Sequence, residues 1–130
     1  MTQINIVLDG KPIPKARPRF IPSCSRVYNS QHKIQKKERW RLQEEYGSNQ
    51  PLKGIIDLTV IFVFERPKCR KDDIYHTDTP DLDNLLKFLC DIGNGILWAD
   101  DRQVAQIHAK KIYGENAKTV ITIREIENEL

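Results

Sequence analysis

Two aspartates one residue apart, Asp81 and Asp83, open the stretch "TPDLDNLLKFLCD" at residues 79–91, and Lys87 follows Asp83 by four positions. A second acidic pair, Asp100 and Asp101, stands in "LWADDRQV". Carboxylates in this number suit a hard cation. Mg²⁺ takes oxygen ligands, keeps several waters, and is commonly held by one or two carboxylates together with substrate phosphate oxygens. An ion held by Asp81, Asp83 and one of Asp100 or Asp101 would lower the pKa of a water, neutralise charge on a scissile phosphate and orient an in-line attack. Lys87 would then stabilise charge on the pentacovalent species or the leaving oxygen. Each residue also has a plainer use. An aspartate in a first helical turn suits the helix dipole, Asp is common in turns, and Asp83 with Lys87 forms an i, i+4 pair worth about 0.2–0.5 kcal/mol.

The element carrying the first pair reads as a helix. Proline at the first helical position, with Thr79 as cap, sets its start near Pro80, and "GNG" at 93–95 ends it. At about 100° per residue, Leu82, Leu85, Leu86, Phe88, Leu89 and Ile92 form one broad apolar face, while Asp83, Asn84, Lys87 and Asp91 gather opposite. Asp81 lies off that polar face. For Asp81 and Asp83 to share an ion, Asp81 must sit at an unwound start, or the site must lie off the helix end.

Around this helix the pattern predicts a sheet. "INIVLD" alternates apolar and polar residues as a short strand does. "GIIDLTVIFVFERP" is the strongest strand signal, β-branched and apolar on both faces, as a central strand is. "QVAQIHAKKIY" and "KTVITIREI", separated by "GENA", read as a hairpin closing the sheet. A further helix runs from about Ser30 to Tyr46, capped by Asn29 or Ser30 and stopped at Gly47. Its apolar stripe is thin, with Ile34, Leu42 and Tyr46 sharing a side with Glu38 while Trp40 points elsewhere. The expected architecture is one α+β domain over residues 1–130, with about four mostly antiparallel strands and two main helices. Residues 11–29 form a basic, proline-rich arm that cannot be helical, and residues 65–79 a basic loop whose length points to function or mobility.

The chain has 130 residues, 39% apolar and 30% charged, enough for one core without disulfides. Cys24, Cys69 and Cys90 form no CxxC pair, and His32, His76 and His108 stand at no zinc spacing, so reduced thiols and ordinary imidazoles are expected. The N-terminus lacks signal-peptide character and no apolar run approaches a membrane span of about 18 residues, so a cytoplasmic protein without membrane association is expected. The net charge of +3 conceals segregation. Between Lys11 and Arg41 ten basic residues face one acidic residue, a local +9, leaving 11 basic and 17 acidic residues, or −6, elsewhere. A field of that kind attracts a polyanion such as nucleic acid.

At this point the residues resemble a family. "PDLDNLLKFLCD" followed by "NGILWADDRQV" is similar to the core signature of RusA-type Holliday junction resolvases, the crossover junction endodeoxyribonucleases common in phages and prophages. The arm "GKPIPKARPRF" resembles the N-terminal segment of many members. The resemblance implies a homodimer that binds four-way DNA junctions and cuts two strands symmetrically, using Mg²⁺ or Mn²⁺ and no organic cofactor. Carried over residue by residue, it makes Asp81, Asp83 and Asp101 metal ligands and catalytic residues, with Lys87 an aid to catalysis. Asp91 and Asp100 also match acidic positions. Where many relatives carry lysine just ahead of the motif, this chain has Asp78 and Thr79. Lys11, Lys15, Arg17, Arg19, Arg70 and Lys71 are the candidates for phosphate contacts, which give affinity and salt dependence without sequence information. Two other readings remain open: a DNA-binding module whose carboxylates only start and solubilise a helix, and a nuclease of the same fold acting on flaps or forks.

Overall fold

The computed structural model describes residues 3–16, 19–21, 26–28 and 31–127. In chain order its elements are β1 (Gln3–Asp9), β2 (Arg19–Ile21), β3 (Arg26–Tyr28), α1 (His32–Tyr46), β4 (Ile55–Glu65), α2 (Leu82–Gly93), β5 (Val104–Gly114) and β6 (Lys118–Ile126). Short 3-10 turns cover Lys68–Arg70 and Asp101–Gln103. The four long strands form one sheet in the order β1-β6-β4-β5, and β2 pairs with β3 in a separate two-stranded ribbon within the basic arm. The α+β class, the single domain and the two main helices are as the sequence predicts.

Strand β4 occupies the interior of the sheet because both of its faces are apolar. Ile56, Leu58, Val60, Phe62 and Phe64 point into the core, and Val63 on the other face is buried too. This preference overturns the expected hairpin. β5 and β6 are not neighbours: β4 lies between them, parallel to β5 and antiparallel to β6. Val63 pairs with Lys118 and Glu65 with Gly114, so the turn at 115–117 passes over the end of β4. The sheet is therefore mixed, with β1 and β6 supplying the remaining antiparallel pair.

A parallel neighbour requires a crossover, and α2 provides it between β4 and β5. Leu85, Phe88, Leu89 and Ile92 turn onto the sheet and are at most 4% exposed, each contributing about 1.5–3 kcal/mol by burial. The helix begins at Leu82 with Asp81 as N-cap, two residues later than expected. The reason is tertiary: Lys111 Nζ on β5 donates to the carbonyls of Asp78 and Pro80, both at 2.8 Å, and holds that backbone against the strand. At the other end Gly93 closes the helix, where a Cβ would meet Leu97 and Trp98 at 3.3 Å. Gly95, at φ +85°, then turns the chain.

α1 starts at His32, with Gln31 rather than Asn29 or Ser30 as the N-cap of the described helix; Asn29 and Ser30 lie outside the described residues. The Gln31 side chain is committed to the arm, accepting from Ala16 N at 2.7 Å and donating to Pro14 O at 2.6 Å. The helix stops at Gly47 as predicted, and Glu38, Leu42 and Tyr46 are its buried residues. The 65–79 segment is partly ordered by β5, with Tyr113 N donating to Ile74 O and His76 N to Lys111 O. Cys69 and Cys90 are free thiols, and Cys24 lies outside the described residues. Among the described residues no helix is long and apolar enough to cross a membrane.

Candidate active site

Asp81 stands at the unwound start of α2, at φ −71° and ψ 146°, one of the two placements under which it could share an ion with Asp83. Its carbonyl accepts from Leu85 N at 3.2 Å, so the backbone begins the helix. Its carboxylate caps nothing and is exposed. Asp83 follows in the first turn, with its carboxylate 3.9 Å from Lys87 Nζ and both side chains more than 60% exposed. Both acidic groups thus lie at the positive end of the helix dipole, free of structural hydrogen bonds.

The second acidic pair is used differently. Asp100 caps the turn Asp101–Gln103 with a full capping box: its side chain accepts from Arg102 N at 3.0 Å, and Gln103 Oε1 accepts from Asp100 N at 2.7 Å. Gln103 Nε2 also donates to Leu52 O and Gly54 O, tying this turn to the segment before β4. Asp101 Oδ1 accepts from Trp98 Nε1 at 2.6 Å, and the indole is fully buried. Lys15, Lys87, Asp91 and Asp101 line one open groove with Cys90 and Ile107. Lys15 Nζ pairs with Asp91 Oδ2 at 2.5 Å, strapping the arm across α2, and Lys15 N donates to Asn84 O. Burial, reinforced by Asp101 and Asp91, pushes the Cys90 thiol up to about 11.

Lys87 links the two regions, pairing with Asp83 and facing the groove of Asp101. Asp101 itself approaches Cys90, which lies about 10 Å along the helix axis from Asp83 at 1.5 Å per residue. Among the described residues no three His, Cys, Asp or Glu side chains converge to hold a metal. The donor set fits a hard cation chemically, being all carboxylate, and Asp81 with Asp83 is the pair the fold leaves unspent.

The family model for Endodeoxyribonuclease RusA matches residues 9–124, nearly the whole chain. The chain belongs to the RusA endodeoxyribonuclease family. It is also 32% identical over 62 residues to the uncharacterized protein YqaN of Bacillus subtilis (strain 168), a match covering 48% of this chain and 44% of that relative.

In this RusA-family chain the expected DNA-contacting cations fall into three groups. Lys11 and Lys71 are exposed and make no ion pair among the described residues. Lys15 pairs with Asp91, and Arg70 pairs with Asp78 at 3.1 Å and Asp73 at 3.3 Å. Asp78 first, with Asp73 adding, raises the Arg70 pKa. Arg17 lies outside the described residues, and Arg19 is on β2.

Three residues shape the site in roles the sequence did not predict. Lys111 fixes the backbone before Asp81, setting an ammonium group just ahead of the motif, where the chain's own sequence has Asp78 and Thr79. Trp98 orients Asp101. Arg39 Nη1 donates to the carbonyls of Asp91, Ile92 and Asn94 at 2.9–3.2 Å, satisfying the C-terminal end of α2 from α1. Only the last could have been suspected, since cations near helix C-termini are favourable, but the donor comes from another helix.

Proposed function

We propose that the chain is a metal-dependent, structure-selective endodeoxyribonuclease that resolves four-way DNA junctions by paired, symmetric phosphodiester hydrolysis, as a homodimer using Mg²⁺, for which Mn²⁺ substitutes. The observation carrying this reading is the contrast between Asp81 and Asp100. Both stand at N-cap positions, yet Asp100 caps its turn and Asp81 does not. A helix-starting role accounts for Asp100 and leaves Asp81 unexplained. A free carboxylate two positions from another, in a family of endodeoxyribonucleases, is best accounted for by a cation.

Asp81 and Asp83 would hold the ion, with Asp101 as the third ligand. The bound ion would supply Lewis-acid stabilisation of the scissile phosphate and a lowered pKa for the attacking water. Lys87, exposed and beside Asp83, is suited to stabilise charge on the leaving oxygen. Lys111 keeps the segment before Asp81 in place without touching the reacting atoms. Lys11 and Lys71 are the cations freest to take phosphates. Lys15 and Arg70 would do so by exchanging their carboxylate partners, and Arg17 and Arg19 remain candidates on sequence grounds. A cytoplasmic setting, where DNA is met, accords with this role.

The test is a cleavage panel of a four-way junction, a flap and a linear duplex, each with and without Mg²⁺. Paired nicks at symmetric positions on the junction, absent without metal, are expected. Equal cutting of the flap would move the substrate to branched DNA in general, and binding without cleavage on every substrate would leave a DNA-binding module.

A further inference from the structure

Lys33, Lys36, Lys37 and Trp40 stand at i, i+3, i+4 and i+7 on α1 and so share one face. All four are exposed, Trp40 by 65%, and they line one shallow depression. The other cations of this helix are used by the fold: Arg39 holds the end of α2, and Arg41 pairs with Glu38 and donates to Asp9 O. Lys33, Lys36 and Lys37 make no ion pair among the described residues. The fold gains little from leaving the largest apolar side chain in water beside them.

Three unpaired ammonium groups call for a polyanion, and an exposed indole among them calls for a flat apolar surface. Nucleic acid with an unstacked base offers both, since every base has a π-face that stacks on an aromatic ring. An acidic peptide supplies charge without the flat surface. A membrane surface calls for several apolar side chains on one face, and this face has only the indole.

We propose that the Lys33, Lys36, Lys37 and Trp40 face of α1 is a DNA-contact surface separate from the carboxylates of α2, on which the lysines bind phosphates and Trp40 stacks a base left unpaired at the branch. The proposal rests on the reading of branched DNA as partner.

Trp98 is fully buried, so fluorescence quenching reports Trp40. The experiment titrates a four-way junction, a single strand and a linear duplex in EDTA, with parent, Trp40→Ala, Trp40→Phe and the triple variant Lys33→Gln/Lys36→Gln/Lys37→Gln, each checked for parental thermal stability. Junction and single strand should quench Trp40 more than duplex does. Trp40→Ala should bind the junction roughly ten- to hundredfold more weakly, with Trp40→Phe near the parent. The triple variant should lose about one unit of salt slope per phosphate contact removed. Equal quenching by duplex, junction affinity unchanged in Trp40→Ala, or quenching produced by anionic vesicles or rising protein concentration but not by DNA would each overturn the proposal. Cleavage by the parent in Mg²⁺ is scored separately. Quenching and the Trp40→Ala loss without cleavage would sink the nuclease reading alone, whereas cleavage with parental binding by Trp40→Ala would sink this surface alone.

Discussion

Trp98 Nε1 donates to Asp101 Oδ1 at 2.6 Å, joining a fully buried ring to a carboxylate at the rim of the groove. The indole packs so closely on Gly93 that a Cβ there would stand 3.3 Å from Trp98 Cζ2, tighter than an ordinary van der Waals contact. Asp101 therefore owes its orientation to the core. Trp98→Phe should cost about 1–3 kcal/mol, from the lost hydrogen bond and the space left behind, and should reduce cleavage as Asp101→Asn does. Urea unfolding and junction cleavage check both. Parental cleavage by Trp98→Phe would remove the orienting role.

Asp81 and Asp100 should show opposite effects. Asp100→Ala breaks a capping box and should destabilise the protein by about 0.5–2 kcal/mol, leaving chemistry to Asp81 and Asp83. Asp81→Ala removes an exposed carboxylate that caps nothing, so its stability should stay within about 0.5 kcal/mol of the parent while cleavage is lost. Thermal melts beside cleavage rates read the two effects. A large stability loss in Asp81→Ala would make it a helix starter after all.

Acidification should expose His76. Its ring is 8% exposed, stacks on Phe64 with centroids 4.0 Å apart, and leaves Nδ1 buried without a hydrogen bond. Burial, with Lys111 adding, holds its pKa below 6.5, while Asp78 pulls the other way. The unfolded chain then takes up the proton first, so His76 contributes full stability above the unfolded pKa of about 6.5 and loses it as pH falls through the lower folded value. His76→Phe keeps the stack and should flatten the pH dependence of the urea midpoint below that point. An unchanged slope would assign the acid sensitivity to other groups.

Cys90 should be a slow thiol. With its pKa pushed up to about 11, burial leading and Asp101 and Asp91 adding, little thiolate is present near neutral pH. Alkylation at pH about 8, followed by peptide mapping, should label the exposed Cys69 well before Cys90. Asp101→Asn should quicken Cys90 only modestly, because burial is the larger cause. Equal labelling of the two in the parent would contradict the groove as described.

Much of the fold was legible because its signals are local. The run from Ile55 to Glu65 marked a central strand through its two apolar faces, and the leucines of α2 marked its buried side through their helical spacing. The separation of β5 from β6 is not legible in the sequence, because "GENA" is a turn in either arrangement and nothing near it records that β4 inserts between the flanking strands. α2 starts two residues later than its local signals place it, because Lys111, 31 residues from Pro80, holds the preceding carbonyls. The acidic motif was legible as chemistry, but its distribution was not: the sequence could not tell that Asp100 is spent on a cap or that Asp101 is held by the buried Trp98. Charge segregation pointed to a polyanion, yet Lys15 meets Asp91 from 76 residues away, a pairing no local window contains.

The most direct test of the central claim, that the aspartates at the start of α2 serve a metal rather than a helix, is junction cleavage by parent and Asp83→Asn across an Mg²⁺ titration at equal DNA occupancy. Metal-dependent paired nicking by the parent is expected, with undiminished binding and no nicking by Asp83→Asn at any Mg²⁺ concentration. Nicking by Asp83→Asn at the parental rate, or by the parent without metal, would contradict that claim.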